Sequence, residues 1–76
     1  SQGDKPQSAV FETLSQAFFT EVGELQKIRT KLRSIRAKED RGDDLTAEEK
    51  KIKAAGEKHT ARALELCEAV MSELRR

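Results

Sequence analysis

Apolar residues recur at helical spacing along two stretches of this chain, and the short polar segment Glu39-Asp40-Arg41-Gly42-Asp43-Asp44 is all that separates them. Two long amphipathic stretches with so brief a break between them are driven to fold back on each other. Each must bury an apolar stripe, and the nearest one belongs to its neighbour. The fold class this predicts is all-α: an antiparallel, coiled-coil-like two-helix hairpin, suited to form half of a four-helix bundle.

From Val10 to Lys38 the apolar positions follow a heptad. Phe11, Phe18, Leu25 and Leu32 occupy one position, and Leu14, Ile28 and Ile35 its companion. Glu21 is the one exception, with Val22 beside it to cover the gap. Gly23 is the only weak point and no proline interrupts the run, so one helix over about 9–40 is the economical reading. Asp4 with Gln7 three residues on resembles a capping box, but Ser8 is the favoured N-cap. Residues 1–8 are then read as a flexible polar tail, and the chain starts at Ser1 without methionine, as an excised or cleaved domain would.

Gly42 stands where a left-handed helix terminus would place it, giving a turn at about 41–45. Thr46-Ala47-Glu48-Glu49 follows, a capping-box pattern that opens a second helix over about 46–75. Its inner stripe is Ile52, Gly56, His59, Ala63, Cys67, Val70 and Leu74, widened by Leu64, Leu66 and Met71. With symmetric rise from the turn, facing residues have numbers that sum to roughly 88. Leu74 then meets Leu14, Val70 meets Phe18, Ala63 meets Leu25, Gly56 meets Leu32, and Ile52 meets Ile35 or Arg36. His59 falls opposite Ile28 or Arg29.

Composition supports helix and excludes several functions. Trp and Tyr are absent, and the chain has a single proline. Charged residues make up 38%, but the formal net charge is only +1, so no net-charge argument points to nucleic acid. No apolar run approaches the ~20 residues that cross a bilayer, and no secretory signal pattern is present, so a soluble, cytoplasmic protein without a membrane role is expected. Cys67 is the only cysteine, which leaves no internal disulfide and no cysteine-based metal site. No catalytic residues, cofactor, metal or small-molecule substrate are expected, and the chain is read as a non-enzyme.

Toward the open end of the hairpin, Phe11, Leu14, Phe18, Phe19, Val22, Leu64, Leu66 and Met71 offer more apolar surface than two helices hide between themselves. These are the candidate partner-binding residues. Self-association into a homodimer is the first expectation, and a helical protein partner laid into the groove the second. A small regulator, adaptor or chaperone would use such a surface.

Lys27, Arg29, Lys31, Arg33, Arg36 and Lys38 form a basic collar without an intervening acid. Phosphate contact with nucleic acid, or attraction to another anionic partner, is the competing function. A solvated face balanced by Glu48, Glu49 and Glu57 is the simpler reading, since no aromatic platform interleaves with the bases. His59 and Cys67 read as packing residues. Arg41-Gly42-Asp43 spells an integrin-recognition tripeptide, which the cap role of Gly42 explains better, and the acids around it lack the spacing of a calcium loop.

Overall fold

The computed structural model describes residues 4–76, with side chains from residue 9 onward. Helix α1 spans Asp4–Asp40 and helix α2 spans Ala47–Leu74, packed on each other as an antiparallel hairpin. Among the described residues there is no strand.

The turn is built from two local devices. Gly42 takes φ +77°, its N–H donates to the Glu39 carbonyl at 3.0 Å, and the Asp43 N–H donates to the Lys38 carbonyl at 2.8 Å. This is a Schellman terminus, which satisfies the last carbonyls of α1 and needs a residue free to adopt positive φ. Four residues later the Thr46 hydroxyl accepts from the Glu49 N–H at 3.1 Å, while the Glu49 carboxylate accepts from the Thr46 N–H at 2.8 Å. The predicted capping box is thus formed in full.

The first helix starts earlier than Ser8 predicts. Residues 4–8 are helical, so the proposed tail is helix from Asp4 on, and only residues 1–3 of it lie outside the described residues. Pro6 does not prevent this, because it falls in the first turn, where backbone N–H groups have no helical acceptor.

Helix packing follows the predicted register in the turn half. A Cβ on Gly56 would stand 2.9 Å from Leu32 Cδ2 and 3.1 Å from Cδ1, so the missing side chain is what lets Leu32 lie against α2. Ile35 and Ile52 line one depression, as their pairing predicts. Among the described residues, Ile35, Ala63 and Leu66 are the buried hydrophobic ones, and no large side chain is completely shielded from water. At the open end Leu74, expected against Leu14, is exposed, while Leu14, Phe18 and Val70 are half-buried. The molecule is a rod of 57 × 18 × 15 Å with a radius of gyration of 16.9 Å, against about 11 Å for a compact domain of this length.

Candidate interaction surface

On α1 the residues Phe19, Val22, Gln26, Arg29, Arg33, Arg36 and Asp40 follow one another at steps of three or four, so they form one stripe along the helix. On α2 the matching stripe is Met71, Glu68, Leu64, Thr60, Glu57 and Lys53. Between these walls runs an open trough of about 900 Å³, floored by Leu25, Leu32, Ile35 and Gly56. Beyond its end nearest the termini the two stripes continue in Phe19 and Met71, both exposed, and Leu64 on its wall is exposed too. The exposed apolar side chains of this face lie in its open half, with Glu68 between Leu64 and Met71, and its turn half is charged.

The predicted partner-binding residues divide. Phe19, at 68% exposure, Leu64 and Met71 lie on the surface, while Phe11, Leu14, Phe18 and Val22 are half-buried. The Phe18 and Phe19 rings meet edge to face with centroids 5.7 Å apart, so the exposed ring is held by the half-buried one. Leu66, expected among the partner-binding residues, is only 9% exposed and belongs to the hairpin's own core. Leu64 and Leu66 are two residues apart, about 200° around the helix, so they cannot share a face.

The basic collar divides as well. Lys27 donates to Glu24 at 2.8 Å on the helix surface. The Glu24–Lys27 hydrogen bond holds that carboxyl below its ordinary range and raises the lysine. Lys38 donates to Glu49 at 2.9 Å across the hairpin. Lys31 lines the small depression on another side with Glu48 and Glu49. Arg29, Arg33 and Arg36 line the trough, and among the described residues none has a carboxylate within ion-pair distance. Glu39, Asp40 and Glu57 share that trough, and Lys53 pairs with Glu39 in a contact that raises the lysine's pKa. The balancing acids expected from the second helix are therefore Glu49 in contact, with Glu57 beside the arginines in the same trough.

His59 does not face Ile28 or Arg29 with its polar edge. Its Nδ1 lies 2.6 Å from Glu21 Oε1, about two helical turns nearer the open end than Ile28. Glu21 is the polar exception in the first heptad and His59 the polar member of the second stripe, so the two interruptions of the apolar seam satisfy each other. Ile28 could offer the imidazole no acceptor. The signal for this pair was present in both stripes, but register from the turn pointed elsewhere.

The remaining candidates are local. Arg41 Nε donates to Asp43 Oδ2 at 3.1 Å, so the two charged ends of the tripeptide pair with each other beside Gly42. Cys67 is a half-buried free thiol. Among the described residues no group of three or more His, Cys, Asp or Glu is placed to hold a metal, and no helix is long and apolar enough to cross a membrane. Comparison with known proteins finds no family model, no curated protein and no solved structure that matches the chain.

Proposed function

We propose that this chain is a protein–protein interaction module that works by association, without catalysis of its own, through the apolar open half of the hairpin face. The observation that carries this reading is the exposure of Phe19, Leu64 and Met71 along one face of a hairpin whose described residues include few buried hydrophobic ones, Ile35, Ala63 and Leu66. Leaving such side chains in water forgoes roughly 1.5–3 kcal/mol each, which a covering helical surface would recover. The lone thiol of Cys67 fits work in the cytoplasm, in the role of a small regulator, adaptor or chaperone.

Sedimentation velocity of the chain alone, and with a synthetic leucine-rich amphipathic helix, tests this. The expected result is an assembly heavier than the 8.5 kDa chain, alone or with the peptide, that is lost when Phe19→Asp and Met71→Asp are combined. A monomer that ignores the peptide, or association indifferent to both substitutions, would overturn it.

The second reading, phosphate contact, rests on Arg29, Arg33 and Arg36, which have no ion pair among the described residues. Three phosphate contacts with duplex DNA predict a log–log salt slope of about −2.7. The acids in the same trough oppose it. No binding to duplex DNA at ~50 mM salt would eliminate this reading.

A further inference from the structure

We infer that the occupant of this face is a second copy of the chain, docked with the two open ends together and with Arg33 of each copy against Glu57 of the other. The inference rests on the interaction reading above and deepens it by naming the partner and the arrangement.

Surface area gives the first reason. The chain exposes 6025 Å², whereas a compact monomer of 8.5 kDa exposes about 4,650 Å². The excess, about 1,400 Å² per chain, is spread over the whole rod, and it leaves room for the roughly 1,000 Å² or more that each member of an obligate dimer buries. A single foreign helix could cover the trough, but a second hairpin matches the whole face, since it has the same length and width.

Charge and register give the second. When two hairpins are stacked by a two-fold axis along their length, α1 of one copy lies on α2 of the other at the same distance from the turn. The rule that places Leu32 opposite Gly56 within one hairpin then also sets the pairs between copies in the turn half. In the open half Val22 and Leu64 line the same trough, so Val22 comes near the partner's Leu64 and Phe19 near the partner's Met71, with the partner's Glu68 at their edge. Arg33 comes opposite the partner's Glu57, and Asp40 opposite the partner's Lys50. Arg33 and Glu57 are exposed, line opposite walls of the trough, and have no ion pair of their own among the described residues. Arg36 falls opposite the partner's Lys53, whose ammonium is already held by Glu39 of its own copy.

The reverse stacking, with the turn of one copy at the open end of the other, is worse on both counts. It sets Phe19 over the arginine stretch of α1, and the exposed acid Glu68 at the level of the partner's Glu57. A nucleic acid is disfavoured by the same trough, where Glu39, Asp40 and Glu57 would meet phosphates.

A charge swap and a distance measurement test the arrangement. The dimer dissociation constant is read by sedimentation for Arg33→Glu, for Glu57→Arg and for the two combined. Each single change is expected to weaken the dimer about five- to tenfold, and the combination to recover most of that loss. Spin labels are placed at the exposed turn with Asp44→Cys in a Cys67→Ala background, leaving the face unaltered. Open ends together put the two labels within about 30 Å, allowing for helix spacing and label arms. The reverse stacking puts them apart by nearly the 57 Å length of the rod. Association with a long label distance, or without recovery in the combined variant, overturns the arrangement and leaves the interaction reading standing. A monomer at every concentration that still binds the leucine-rich helix overturns the second copy as partner, and a monomer that binds neither overturns both.

Discussion

Lys38 Nζ donates to Glu49 Oε1 at 2.9 Å, and that same oxygen accepts the Thr46 N–H at 2.8 Å. One carboxylate therefore ties the last turn of α1 to the N-cap of α2, so the reversal of the chain and the start of the second helix are one unit.

This unit makes stability depend on acid. Glu49 is held below its ordinary pKa, first by the Thr46 backbone N–H and then by Lys38. A lowered folded value means that the unfolded chain binds the proton more readily. The stabilisation is therefore complete above the unfolded carboxylate value, about 4.3, and is lost as pH falls through the folded one. Glu49→Gln keeps an acceptor for Thr46 but removes the charge. It should melt lower than the parent at neutral pH and show a flatter fall in melting temperature on acidification. A parent-like acid limb in the variant would contradict this role.

Two glycines in helices should respond oppositely to substitution. At Gly23 a Cβ would have nothing within 4 Å, so Gly23→Ala is expected to stabilise by about 0.5–1 kcal/mol through helix propensity alone. At Gly56 the Leu32 methyls stand where side-chain atoms would go. Gly56→Val should force the helices apart and cost about 1–3 kcal/mol. Urea denaturation of both variants reads the difference, and a stabilised Gly56→Val would refute the close approach.

The Glu21–His59 contact predicts a non-additive pair. Glu21 is only 16% exposed, so removing His59 leaves a carboxylate in the seam without its partner. Glu21→Leu or His59→Leu alone should each destabilise by about 1–3 kcal/mol. Combined, they restore an apolar seam, and the double variant is expected to be as stable as the parent or more so. Equal loss in the single and double variants, measured by denaturant midpoint, would show that the contact contributes nothing.

What the sequence made legible was what local chemistry decides. The Gly42 terminus and the Thr46–Glu49 box depend on residues within five positions of each other, and both formed as their patterns predict. Leu32 against Gly56 followed from counting outward from a well-defined turn. The helix start was misplaced because a capping residue such as Ser8 is also tolerated inside a helix, and Pro6 is harmless in a first turn. Leu66 was grouped with Leu64 because both widen an apolar stripe, and only packing against α1 separates them. The collar looked uniform because its division depends on which carboxylates stand within reach, as Glu49 does for Lys38 and Glu24 for Lys27.

If association covers the open half of the face while the hairpin itself holds the turn half, amide hydrogen exchange must depend on protein concentration in the first and much less in the second. Exchange across residues 10–26 and 61–74 should slow steeply as concentration rises, and across residues 32–56, where the hairpin's own packing already holds the seam, it should slow less. Exchange at the open end that is the same at every concentration would contradict it.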